Sequence, residues 1–213
     1  DKHNEFINNV DNIEYIYVKN LNKSSQKGKS GNMLHPYFRE NVNKYVIPIQ
    51  TNYYKSLFKD GNLRAATLFD NEDYGLQEVQ GNTIIKAYIS KSSRQDLKEG
   101  DLLFFYSSGT YKSIEPVGVL LEHIRVDNFP ELWDIVKSKT VYSPDKLKEW
   151  LEESKYLTIT IFRLAQYLNP VVDFNKIKTL KCYGNKFQTI TKMNEEDYQI
   201  IKQQYIDENF IVN

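Results

Sequence analysis

The sequence predicts an α+β domain, a small mixed β-sheet closing into a barrel with flanking helices, and three observations predict it. Residues 99–123 read EGDLLFFYSSGTYKSIEPVGVLLEH. A turn (Glu99, Gly100, Asp101) precedes the short aromatic run Leu102, Leu103, Phe104, Phe105, Tyr106. Polar residues 107–113 and a second apolar run over 117–124 follow, so the stretch is a hairpin with a wide loop. Residues 156–164 (YLTITIFRL) are rich in Thr, Ile and Phe, the composition of a half-buried pleated strand. Residues 129–137 and 144–153 carry apolar side chains at helical spacing: Phe129, Leu132, Trp133 and Val136 on the first, Leu147, Trp150 and Leu151 on the second. A hairpin alone buries too little surface to persist in water, so the other strands must close a sheet or small barrel around it.

In chain order, residues 13–18 (IEYIYV) alternate apolar and polar side chains as a strand does, with no neighbouring strand evident. Residues 19–31 (KNLNKSSQKGKSG) hold four lysines, three serines, two glycines and no acid, the composition of an exposed connection. The division this implies is 1–22 as the remnant terminal strand of a preceding domain, 23–42 as linker and 43–213 as the main domain. His35, Pro36, Tyr37 and Phe38 are expected to anchor the linker's end. Asp1 in place of a methionine, with no signal-like pattern after it, points to a piece of a longer chain.

Residues 44–50 are the first strand of the main domain, and 52–58 a short helix with Tyr53, Leu57 and Phe58 on one side. Residues 60–82 are polar and Gly-punctuated, apolar only over 63–69, and read as a long excursion of the kind that carries binding loops or covers a cleft. Residues 83–90 run through a helical turn into a strand, and 92–99 return the chain to the hairpin. Ser143 ahead of Pro144 and Asp145 caps the second amphipathic helix. Residues 173–180 and 194–205 are helical, the latter capped by Asn194 with acids in its first turn. A last short strand is expected at 187–190. There is no internal repeat.

The totals narrow the function classes. The 213 residues suffice for one good-sized domain plus an appendage, or for two small domains. Hydrophobic content of 40% and charged content of 26% are globular, and no apolar run nears the roughly 20 residues that span a bilayer, so no membrane partner is expected. Formal net charge is zero, so a nucleic-acid site must be a local patch rather than a global field. The single cysteine, Cys182, excludes an internal disulfide framework and a multi-thiolate zinc site, which fits a reducing cytoplasm.

The Gly-Asp turn, the strand ending Phe-Tyr-Ser, the polar loop and the strand beginning Val-Gly-Val are joined by 45–49 (YVIPI), Tyr53, Tyr54, Leu57, Phe58, 86–90 (KAYIS) and 140–143 (TVYS). Together they resemble the PUA-like superfamily, particularly its EVE and ASCH branches. The pattern is similar to the EVE-like domain that follows a GNAT-type acetyltransferase domain in multidomain prokaryotic proteins. The resemblance covers 43–213. It implies a PUA-like small mixed β-barrel with flanking helices, preceded here by a short strand and linker.

The resemblance also implies a ligand cleft beside the central strands, binding RNA, DNA or a modified nucleotide. Carried onto this chain, it points to Pro48 and Gln50, to Lys86, Tyr88 and Ser90, and to Tyr106, Ser107 and Ser108. Tyr111 and Lys112 lie on the adjoining loop. A flat base can stack on tyrosine for about 1 to 3 kcal/mol while hydroxyls and an amide read its edge. Strand alternation equally allows Tyr88 and Tyr106 to be packed inside. Both tryptophans fall in helices and are expected in the core, leaving the cleft without the Trp of nucleic-acid-reading branches. A second constellation is basic: Arg163, Lys176, Lys178, Lys181, Lys186 and Lys192, opposed only by Asp173, with Lys86, Lys91, Arg94 and Lys112 near the cleft. Converging lysines would contact phosphates; otherwise they form a solvated face.

Enzymatic readings have less behind them. The glycine-rich pyrophosphate loop of an acetyltransferase is missing from these residues, so that reading leaves the chain as an accessory domain of such an enzyme, serving an upstream domain. Asp96 and Lys98 supply the letters of a nuclease's acid-x-Lys pair but sit in a turn beside Glu99. His3, His35 and His123 lack metal-ligand spacing. The reading is therefore a non-catalytic binding domain without a cofactor.

Overall fold

The computed structural model of the chain describes residues 2–7, 13–18, 36–59, 61 and 84–212. The linker expectation over 23–35, including His35, and the excursion at 60–82 apart from Gly61 lie outside the described residues. Strands β1 (Lys2–Ile7) and β2 (Ile13–Val18) pair antiparallel, Lys2 opposite Val18. The strand that 13–18 lacked on sequence reading is thus 2–7.

The remaining elements are β3 (Lys44–Gln50), α1 (Thr51–Leu57), β4 (Ile85–Ser90), β5 (Leu102–Ser108), β6 (Ser113–Val126), α2 (Phe129–Val136), α3 (Pro144–Glu153), β7 (Leu157–Val172), α4 (Phe174–Ile177), β8 (Thr191–Met193) and α5 (Glu195–Tyr205). Six strands form one mixed sheet in the order β4-β7-β6-β5-β3-β8. Only β3 and β5 run parallel, in register from Lys44 opposite Leu102 to Gln50 opposite Ser108. The turn before β5 is built as its letters require. Gly100 takes φ +91, and the Asp101 carboxylate accepts from the Lys98 and Asn43 amides at 2.8 and 3.1 Å.

Alternate residues of the strands feed two cores. Tyr45, Ile47, Leu103, Phe105, Ile159 and Phe162 pack with α1, α2 and α3 on one face. Val46, Leu102, Phe104, Val117, Val119 and Leu168 pack with α5 and Phe38 on the other. A sheet covered on both faces explains why LLFFY and YVIPI read as continuous apolar runs rather than alternating ones. Gly118 lets Phe105 and Phe162 approach to 4.4 Å between ring centroids, since a Cβ there would stand 2.7 Å from the Phe162 ring. Phe38 is fully buried and bridges Ile211, tying the start of the main domain to its end.

The helix starts follow their caps. Asn128, Ser143, Asp173 and Asn194 side chains accept from the amides of Glu131, Lys146, Lys176 and Asp197, each worth about 1 kcal/mol. Among the described residues no helix is long and apolar enough to cross a membrane.

Several expectations are corrected. The sheet is not a closed barrel: β4 pairs only with β7, and β8 covers only Lys44, Tyr45 and Val46 of β3. The seam strand β3 carries Pro48, which has no N–H to donate to a further ladder. The last strand is Thr191–Met193 rather than 187–190, because Lys186 and Phe187 are left-handed (φ 52 and 47) and break any extended run. The hairpin loop is tight, since β5 runs through Ser108 and β6 begins at Ser113. On α1 the buried residues are Tyr54 and Leu57, not Tyr53, and β4 is entered from a bend rather than a helical turn.

Candidate functional site

The open seam is a cleft of about 690 Å³. Its floor is the end of β3 (Pro48, Ile49, Gln50) and of β4 (Tyr88, Ile89, Ser90), joined by the Tyr88 hydroxyl, which donates to the Pro48 carbonyl at 2.9 Å. That bond crosses the gap a strand ladder would otherwise fill. Burial pushes the Tyr88 hydroxyl up to about 12, so it stays a neutral donor at physiological pH. Ser108 at the end of β5 donates to the Ile49 carbonyl at 3.0 Å, and the exposed Gln50 amide stands at the mouth.

One wall is aromatic. Tyr53 of α1, Tyr142 ahead of α3 and Trp150 of α3 cluster with ring centroids 4.5 Å (Tyr53–Tyr142) and 4.9 Å (Tyr142–Trp150) apart. Trp150 is half-buried, so part of the indole stays open, and the Lys91 and Lys146 ammonium groups lie 5.9 and 6.0 Å from its ring. The α3 helix places Trp150 there because Leu147, one turn earlier, is buried in the first core and fixes that face. The opposite wall is the segment from Lys186 to Ile190. Arg94 secures it by donating to the Ile190 carbonyl at 3.0 Å while its fork holds Asp96 at 2.6 Å. Asp197 holds the residues just ahead of it, accepting the Lys181 and Cys182 amides at 2.8 Å each.

Of the residues singled out by sequence, Pro48, Gln50, Tyr88, Ser90, Lys91, Ser108 and Lys186 line this cleft. The others are elsewhere. Lys86 is buried in β4. Tyr106 packs edge-on against Phe187 at 5.2 Å in the second core. Ser107 is fully buried. Arg163 is buried in β7, where it donates to the Tyr37 carbonyl at 2.8 Å and burial lowers it to about 10. Tyr111 and Lys112 sit on the β5–β6 turn, Tyr111 beside Tyr54 and Lys112 over Phe174. The expectation that Trp150 belongs to the core is corrected, since it packs on the first core yet lines the cleft. Tyr53, Tyr142 and Gln188 were also missed. A usable signal for Trp150 was an indole on a helix with six charged residues among the other nine (PDKLKEWLEE).

His123 is structural: Nε2 donates to the Arg94 carbonyl at 3.0 Å, which leaves Nδ1 to accept from Thr160 Oγ1 at 3.0 Å. Asp96 is engaged by Arg94 and by the Tyr45 hydroxyl at 3.2 Å. Cys182 is held protonated by burial and by the neighbouring Asp197.

No family model matches the chain, and no curated protein matches it either. Solved structures do. The ASCH protein of Zymomonas mobilis aligns with a TM-score of 0.56 at 13% identity, over 77% of this chain and 96% of that one. Two single-substitution mutants of the same protein align equally well, at 0.56 with 13% and 12% identity, covering 96% and 99% of their own chains. At such identity the likeness is one of fold: this chain shares the fold of the Zymomonas mobilis ASCH protein.

Proposed function

We propose that the cleft binds the base of a nucleotide or nucleic acid, without catalysis, by stacking it against the Trp150 wall and reading its edge with Gln50, Ser90 and Ser108. The single observation that carries this is the cleft's asymmetry. One wall is three clustered aromatic rings with two ammonium groups over the indole, and the floor offers an amide and hydroxyls. A flat, polarisable, edge-polar ligand satisfies both, whereas a fatty acid satisfies only the first. The PUA-like fold supports the same reading.

Intrinsic fluorescence tests it directly, because the chain has two tryptophans and Trp133→Phe leaves Trp150 as the reporter. Nucleotides and short oligonucleotides are expected to quench it saturably. Trp150→Ala should weaken binding about tenfold or more, as loss of one stacked base does, with Trp150→Phe retaining part of the affinity. Gln50→Ala should shift preference among bases. An unquenched Trp150, with binding unchanged in folded Trp150→Ala, overturns the reading.

A further inference from the structure

We infer that the surface leading from the cleft's Lys186 wall to Phe174 is a second stacking subsite, which makes the preferred partner a single-stranded nucleic acid rather than a free nucleotide. This rests on the cleft being a nucleotide site. Phe174 is half-buried and belongs to neither hydrophobic cluster. Its ring meets the edge of Tyr183 at 6.0 Å and has two ammonium groups near it, Lys112 Nζ at 5.3 Å and Lys178 Nζ at 5.0 Å. Both lysines are exposed, and among the described residues neither has a carboxylate partner within ion-pair distance. The one acid on α4's approach, Asp173, accepts the Lys176 amide.

The ring is continuous with the cleft. Tyr183 stacks edge-on against Phe187 at 5.1 Å, and Phe187 and Lys186 line the cleft itself. The backbone marks the same path. Lys112, Lys186 and Phe187 are the non-glycine residues at positive φ among the described residues, at 47, 52 and 47. Left-handed backbone is unfavourable for L-residues and persists where the surroundings impose it, commonly at binding sites. A half-buried aromatic ring flanked by two exposed lysines, and joined through Tyr183 and Phe187 to the cleft wall, suits a strand that stacks a second base at Phe174 and lays its phosphate between Lys112 and Lys178.

The test compares a mononucleotide, an oligonucleotide of the same base, and inorganic polyphosphate, over a salt series, for the wild-type chain, Phe174→Ala, the double substitution Lys112→Gln/Lys178→Gln, and Trp150→Ala. The oligonucleotide should bind about tenfold more tightly than the mononucleotide, as one added stack provides. Phe174→Ala should erase that gain and leave mononucleotide affinity alone. Loss of that one neutralised phosphate should flatten the slope of log affinity against log salt by about 0.7. Because Phe174 stands outside both cores the variant should fold; if it does not, the doubly substituted chain, altered only at exposed lysines, decides. Equal affinity for mononucleotide and oligonucleotide, with no effect of either variant, overturns the subsite while the cleft reading stands. Oligonucleotide binding that ignores Trp150→Ala but loses slope in the double substitution overturns the cleft reading and keeps the subsite. Polyphosphate binding as tightly as the oligonucleotide overturns it in favour of charge alone.

Discussion

At the scale of single residues, Lys186 joins stability to binding. Its φ of 52 places an L-residue where glycine is at ease, and its side chain lines the cleft. Lys186→Gly is expected to raise stability, or hold it level, by up to about 1 kcal/mol as strain relief is offset by the freer unfolded chain. The same change should weaken nucleotide binding. Chemical denaturation and fluorescence titration on one variant check both, and a variant that loses stability and keeps affinity contradicts the assignment. Such residues are also where sequence reading misplaced the site. Tyr106 and Tyr88 both sit on apolar strands, and only the coil of the sheet decides that Tyr88 meets the seam while Tyr106 meets Phe187. Arg163 read as a phosphate contact because its charge is visible in the letters, whereas its burial is visible only in the fold.

At the scale of elements, the segments with strong local signals were legible: β3 and α3 coincide with their expected bounds, and α5 begins after the Asn194 cap that its letters announce. The wall at 186–190 was not. It is apolar enough to resemble a strand, yet tertiary bonds rather than propensity hold it. Asp197, 1% exposed, holds the residues just ahead of that wall, accepting the amides of Lys181 and Cys182 and Asn194 Nδ2. Asp197→Ala would orphan those donors and is expected to cost about 3 kcal/mol. Asp197→Asn, keeping one acceptor oxygen, should lose less. Thermal or denaturant midpoints check the ranking, and hydrogen exchange should show the amides of Lys181 and Cys182 opening first.

At the scale of the whole molecule, closure of the sheet lay beyond the reach of strand patterns. Barrel and open sheet use the same strands and differ only in whether β4 pairs with β3, a contact between residues about forty apart that Pro48 disfavours. The open form leaves tyrosines spanning the gap and packed behind it, and this sets the alkaline limit of the fold. Burial pushes Tyr88 to about 12, and burial with the Asp96 charge pushes Tyr45 equally high, from an ordinary value of 10.0. Tyr54, which donates to the buried Glu115 at 2.8 Å, and Tyr142 are raised as well. Between pH 10 and about 12 the unfolded chain releases these protons and the folded chain keeps them, so stability is full below pH 10 and falls as pH climbs. Arg163 acts in the opposite sense, since burial lowers it to about 10 and the unfolded chain then holds the extra proton. One arginine opposes at least four tyrosines, and the tyrosines prevail. The denaturation midpoint should therefore drop steeply above pH 10, with tyrosinate absorbance appearing cooperatively with unfolding. Tyr88→Phe should move that drop to higher pH, although it removes the bond across the seam and lowers stability at neutral pH by about 1 kcal/mol. Gradual titration of all tyrosines without unfolding would mean that the seam is open enough to hydrate Tyr88.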